Sequence, residues 1–229
     1  VTFPVGADEA IYTIAEAARL LRLKPNTLRY WLEGMTRKGY RYEPVIRREP
    51  TGSGEVSWPE FIEAGWLSEY RQAKVPLPEL REFVIRARDE FGVEYPFATE
   101  QPLTSGRDLL RRIQDDSGLP HDLRLVRYRD EQLVLTEIAN AFVSKVEFAV
   151  ESTGAIRYWP RGRDKLVVID PLVNYGAPTV NGIRTEALFE QIRAGQDFPR
   201  VASDWGIDVT VVQRACEWEL WDPRAKTAA

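Results

Sequence analysis

At 229 residues the chain can hold one large domain or two to three small ones, each burying its own core. Its 44% apolar and 29% charged residues exclude a disordered or fibrous protein. One cysteine, Cys216, and one histidine, His121, exclude an internal disulfide and a zinc site of the Cys/His kind, so no metal and no cofactor is expected.

No apolar run is long enough to span a bilayer, and Val1 to Gly6 has none of the charged and apolar regions of a leader. A cytoplasmic location is the expectation. The net charge of -4 argues against nucleic acid until it is divided along the chain. From Arg19 to Arg48 nine basic residues face only Glu33 and Glu43, whereas from Val167 onward six basic residues face nine acidic ones. Phosphate attraction depends on local charge, which marks the N-terminal part as the electrostatic candidate.

Thr13 and Glu16 have capping-box spacing, and Ile14, Ala17, Ala18 and Leu21 recur at helical period, which predicts a helix over 13–22. Pro25 opens a second helix buried through Leu28, Trp31 and Leu32, and Gly34 stops it. Arg37 to Arg48, the turn Thr51-Gly52-Ser53-Gly54 and Glu55 to Ser57 together read as a two-stranded wing. Ser57 and Glu60 repeat the capping box before Phe61, Ile62, Trp66, Leu67 and Tyr70, and a further stripe runs through Leu80, Phe83, Val84, Ala87 and Phe91.

Tyr95 to Pro102 reads as a linker. A helix over 104–114, a strand over 123–128, a strand or helix over 132–144 and short strands near 146–150 and 155–159 follow as an α+β unit. Leu166 to Ile169 reads as a buried strand and Asn174 to Gly182 as turns. Thr185, Asp197 and Asp208 are set to cap three helices, with Gly195 closing the first. The spacing Ala202, Gly206, Val212 is repeated at the N-terminus as Ala18, Arg22, Leu28, with arginine at the turn position, so two helix-turn-helix units are expected.

Tyr12-Thr13-Ile14, Glu16-Ala17-Ala18 and Thr27-Leu28-Arg29-Tyr30-Trp31 resemble the MerR-type winged helix. Asp170-Pro171, Gly176 to Val180, Gly182 to Thr185, Val201-Ala202 and Trp205 to Ile207 are similar to a bacterial domain found in antitoxins of toxin-antitoxin pairs. Together the two ends resemble a VapB-type antitoxin of mycobacteria, a class paired with VapC-type PIN-domain ribonucleases. The resemblance implies a mainly α fold with small β elements in three parts. These are a MerR-like winged-helix DNA-binding domain over 1–94, an α+β connecting domain over 95–165, and a three-helix helix-turn-helix domain over 166–229 for dimerisation and toxin contact.

It also implies binding of operator DNA, neutralisation of a toxin and a homodimer. The alternative is a stand-alone MerR-like transcriptional regulator whose middle segment senses a ligand; a protein-only adaptor is a third class.

The expected DNA contacts are Lys24, Asn26, Thr27, Arg29, Tyr30, Arg37, Lys38, Arg47 and Arg48, cationic or polar residues at a helix start and in the wing. Arg184, Gln213 and Arg214 lie among acidic residues, which suits a protein contact better than phosphate. Trp218, Trp221 and Arg224, beside Asp222 and Lys226, read as interface anchors or as the end of the C-terminal core. Asp115-Asp116, Asp130-Glu131 and Glu217/Glu219 are paired carboxylates without a nucleophile, a glycine-rich loop or a neighbouring histidine, so no catalytic residue is assigned and no enzyme is expected.

Overall fold

Thr13 opens the first helix as its spacing predicts. Its hydroxyl accepts from the Glu16 N–H at 3.2 Å while the Glu16 carboxylate accepts from the Thr13 N–H at 2.8 Å. The helix, α1 (Ile14–Leu20), follows a strand that the pattern did not announce, β1 (Ala10–Thr13), and precedes α2 (Pro25–Glu33). The computed structural model describes residues 9–99, 107–117, 124, 126–129, 132–149 and 154–221. The chain is α-rich with small antiparallel hairpins and divides into two compact units between residues 156 and 157.

In the first unit α2 leads into a hairpin of β2 (Met35–Arg37) and β3 (Tyr40–Tyr42), then β4 (Glu55–Ser57), α3 (Trp58–Gln72) and α4 (Leu77–Phe91). The hairpin lies earlier than the sequence suggested, and β4 pairs with β1 instead of with the wing. Residues 43–48, expected as strand, form no ladder. The Val45 and Ile46 N–H groups both donate to the Trp31 carbonyl, at 2.8 and 3.0 Å, and pin the segment against α2.

Every residue of α3 from Trp58 to Ser68 is buried, so this helix is the axis around which the unit packs. Residues 95–99 are not an exposed linker. Phe97 stacks on Trp66 with ring centroids 4.0 Å apart, and its N–H donates to Glu63. Further on come α5 (Arg107–Asp116), the hairpin β5 (Val126–Arg129) with β6 (Gln132–Leu135), α6 (Glu137–Val143) and β7 (Val146–Phe148). Residues 132–144 thus hold both of the states that the sequence left open.

Beyond β8 (Ala155–Tyr158), which runs across the boundary, the second unit has β9 (Thr179–Val180), β10 (Ile183–Arg184), α7 (Thr185–Arg193), α8 (Phe198–Trp205) and α9 (Val209–Glu219). Val180, Leu188, Val201, Ala202, Val212 and Ala215 are at the centre of its core. Asp197 and Asp208 cap α8 and α9 as expected, accepting from the Arg200 and Thr210 N–H groups. Thr185 does not cap α7. It is buried, and its hydroxyl reaches Glu219 at 2.6 Å and the Pro178 carbonyl at 3.3 Å. Leu166 to Ile169 is not a regular strand; Val168 and Ile169 make only isolated bridges, to Thr179 and Tyr158.

Two positions in the first unit yield tests. Gly34 has φ 70°, and a β-carbon there would sit inside the van der Waals radius of the Tyr42 carbonyl oxygen. Gly34→Ala should therefore lower stability by on the order of 2–3 kcal/mol, read from urea midpoints. Glu63 is fully enclosed, and burial pushes its carboxyl up to about 8, against the pull of Arg88 and the Phe97 N–H. The unfolded chain ionises this group from its ordinary value of 4.5, so its contribution is fully present below that value and lost as pH rises towards 8. Glu63→Gln should raise the melting temperature relative to the native chain at pH 8 and not at pH 4, and parallel profiles would refute the assignment.

Candidate functional site

The N-terminal helix pair is set by its turn. Arg22 holds φ 55°, and the Leu23 N–H donates back to the Ala18 carbonyl at 2.8 Å, closing α1 with a left-handed residue where glycine is usual. Ala17, Ala18 and Leu28 are buried between the helices, so the opposite side of α2 faces solvent. Lys24, Asn26 and Arg29 are exposed there, with Thr27 and Tyr30 partly so. The Tyr30 hydroxyl accepts from Arg81 at 3.2 Å, which ties this face to α4.

The start of α2 is open to an anion. Lys24 precedes it without a side-chain cap, Pro25 occupies the first position, and no acidic residue lies in the first turn. The partial positive charge of the helix terminus thus adds to the Lys24 ammonium.

In the hairpin all six strand residues are exposed, and the turn residues Lys38 and Gly39 both have positive φ. Arg37 and Lys38 stand near its tip. Sequence reading missed Met35, Tyr40, Arg41 and Tyr42 on the same ribbon; Tyr40 is 73% exposed. The Lys-Gly dipeptide flanked by short polar and aromatic runs was the available signal. Arg41 pairs with Glu43 at 2.8 Å, whereas among the described residues no ion pair involves Lys24, Arg29, Arg37 or Lys38.

Arg47 and Arg48 differ from these. Arg47 is 7% exposed and does not belong to the surface. Its guanidinium bonds Glu60 at 2.6 and 3.2 Å, Thr51 at 2.7 Å, the Glu55 carbonyl at 2.7 Å, and Glu33. Burial lowers its pKa, and the bonds to Glu60 and Glu33 more than offset this, so the charged form is held. The competing influence was a pair of carboxylates, distant in sequence, that need a buried cation. Arg48 is exposed, but Asp89 and Glu94 flank it at 3.1 and 2.9 Å.

In the second unit Arg184 is exposed and paired with Glu186, Gln213 is exposed, and Arg214 binds Glu217 at 2.7 and 3.0 Å. Trp218 is 1% exposed and belongs to the core, so it offers no contact surface. Trp221 is half-buried, its ring 5.7 Å from that of Trp218 and beneath the Arg161 guanidinium. His121, Asp130, Glu131, Asp222, Arg224 and Lys226 lie outside the described residues. Among the described residues no three His, Cys, Asp or Glu side chains gather as metal ligands would, and no helix is long and apolar enough to cross a membrane.

No family model matches the chain. A Mycobacterium tuberculosis protein named "Putative antitoxin VapB45" is 30% identical over 215 residues, spanning 87% of this chain and 90% of its own length. A second protein of that organism, "Uncharacterized protein Rv2308", is 28% identical over 221 residues, 92% of this chain and 90% of its own. The crystal structure of Rv2018 from Mycobacterium tuberculosis superposes with a TM-score of 0.74 at 30% identity, covering 91% of this chain and 98% of that one.

The Arg47 network gives a test of the site's foundation. Arg47→Met leaves Glu33 and Glu60 without their cation, which should cost about 3–5 kcal/mol of stability. Adding Glu33→Gln and Glu60→Gln should recover more than half of that loss. A triple variant no more stable than the single one would show that stranded charge is not the cause.

Proposed function

Since the chain belongs to the family of the mycobacterial antitoxin VapB45, we propose that it neutralises a toxin and binds operator DNA to regulate its own operon. The toxin in this reading is a VapC-type PIN-domain ribonuclease, and the antitoxin acts as a cytoplasmic homodimer. Three functional regions follow. Residues 1–94 act as a MerR-like winged helix, with α1 and α2 as its helix-turn-helix and the β2–β3 hairpin as its wing. Residues 95–165 connect, and residues 166–229 serve dimerisation and toxin contact.

The observation that carries the DNA-binding part is the set of unpaired cations. Lys24 at the start of α2, Arg29 on it and Arg37 and Lys38 on the hairpin are all exposed, and among the described residues none of them makes an ion pair. Three cations on other helices, Arg86, Arg200 and Arg214, are each matched by a carboxylate on the same helix. Leaving four like charges unmatched does not help folding, and it suits a polyanion whose counterions are released on binding. Asn26 and Thr27, at the uncapped start of α2, are assigned to base edges or phosphates, and Arg29 and Tyr30 to the backbone, whereas Arg48 is already matched by Asp89 and Glu94. A dimer would set two such surfaces on an inverted repeat.

Titration of the full chain with the duplex upstream of its own gene, at several salt concentrations, tests this. Arg29→Ala and Lys38→Ala should each weaken binding and reduce the log–log salt slope by about 0.9. Unchanged affinity and slope in both variants would remove this surface from the function. For the toxin-directed part, co-expression with the product of the adjacent gene should give a stable complex and relieve any growth arrest that product causes.

A further inference from the structure

One arginine of α4 carries a charge that the fold does not use. Arg81 is half-buried, its Nε is enclosed without a hydrogen-bond partner, and it donates from Nη2 to a neutral group, the Tyr30 hydroxyl at 3.2 Å. Among the described residues no carboxylate pairs with it; of those on α4, Glu82 goes to Arg86 and Asp89 to Arg48. Two other arginines of the same unit are enclosed, and both are satisfied. Arg47 meets the carboxylates of Glu33 and Glu60, and Arg88 the carbonyls of Ile46 and Glu94. Partial burial of a cation costs solvation, and one bond to a neutral acceptor returns little of it, so folding gives no reason for a charge at this place.

Tyr30 sets where this charge is offered. It stands one turn beyond Asn26 on the side of α2 opposite the buried Leu28, Trp31 and Leu32, the side that also exposes Arg29. Having accepted from Arg81, its hydroxyl keeps its own proton to donate, and polarisation by the guanidinium strengthens that donor. We infer that Arg81 and Tyr30 together hold one backbone phosphate of the DNA, so that the nucleic-acid surface continues from α2 onto α4; this rests on the operator-binding reading above. A phosphate accepts both an N–H and an O–H on its oxygens and brings the negative charge that Arg81 lacks. A partner protein's carboxylate would meet the same donors. Continuity with the unpaired cations Lys24 and Arg29 favours the polyanion instead.

The test titrates the full chain with the duplex upstream of its own gene and with an unrelated duplex of equal length, at several salt concentrations. A phosphate contact carries no sequence information, so Arg81→Gln should bind both duplexes about tenfold more weakly and lower the log–log salt slope by about 0.9. Its melting temperature should not fall. Tyr30→Phe should also weaken binding, with the slope unchanged because no charge is lost. The double variant should lose less than the two factors multiplied, since both residues hold one phosphate. Weaker binding of Arg81→Gln with a native slope would make Arg81 only a positioning residue for Tyr30, and a loss confined to the upstream duplex would make it a base reader; either overturns the inference. If Arg81→Gln binds like the native chain while Arg29→Ala does not, Arg81 lies outside the surface and the operator-binding reading stands. If the native chain shows no salt-dependent binding to either duplex, that reading and the inference fall together.

Discussion

The architecture of the first unit depends on one enclosed cation. The Arg47 guanidinium meets the last residue of α2 through Glu33, the following turn through Thr51, β4 through the Glu55 carbonyl and the first turn of α3 through Glu60. The two carboxylates are themselves committed, Glu60 to the Ser57 N–H and Glu33 to the Gly52 N–H, so each element is held by groups that also close its own end. A buried pair of this kind adds little net stability against an apolar replacement, whereas removing one partner strands the charge of the other. Arg88 fixes the same segment from α4, donating to the carbonyls of Ile46 and Glu94. The end of α2, the segment 45–48 and the start of α3 are therefore held to one another.

The two helix pairs show how one backbone device can serve opposite electrostatics. In the second unit Gly206 holds φ 64° and the Ile207 N–H donates to the Ala202 carbonyl at 3.0 Å, the same closure that Arg22, Leu23 and Ala18 make in the first. Past the turn they diverge. The helix that follows Arg22 starts with Lys24 and no cap, whereas the one that follows Gly206 is capped by Asp208, whose carboxylate accepts from the Thr210 N–H and places a negative charge where an anion would sit. Phosphate attraction belongs with the first and is opposed at the second. The shared turn is a matter of packing two helices, and the residue just beyond it decides what the second helix can meet.

Much of this was readable from residue order because it is local. Caps at Thr13, Asp197 and Asp208, the proline at the start of α2, the glycine after it and the arginine in the left-handed turn all act within a few residues. What could not be read is non-local. Arg47 looks like any basic wing residue until Glu33 and Glu60, 14 and 13 positions away, are brought around it. The run 43–48 has strand composition, but the carbonyl of Trp31 takes its N–H groups first. Trp218 has the composition of an interface anchor and is instead drawn into the core. Of the candidate DNA contacts, those beside the local signals lie on the surface, and the one whose charge was needed inside does not. The Asn181-Gly182 hairpin turn was a local signal and was missed within a run read only as loop.

The division of charge bears on how the two proposed activities can coexist. Contacts made by unmatched cations gain most of their free energy from counterion release and weaken steeply with salt. A protein contact made by the second unit, whose Arg157, Arg184 and Arg214 are already matched by Asp170, Glu186 and Glu217, would draw little from counterion release. The two surfaces lie in different compact units, so neither must be compromised for the other. On this view the negative net charge of the whole chain does not contradict DNA binding. The negative charge lies in the first unit outside residues 19–48, while within that stretch nine basic residues face only Glu33 and Glu43.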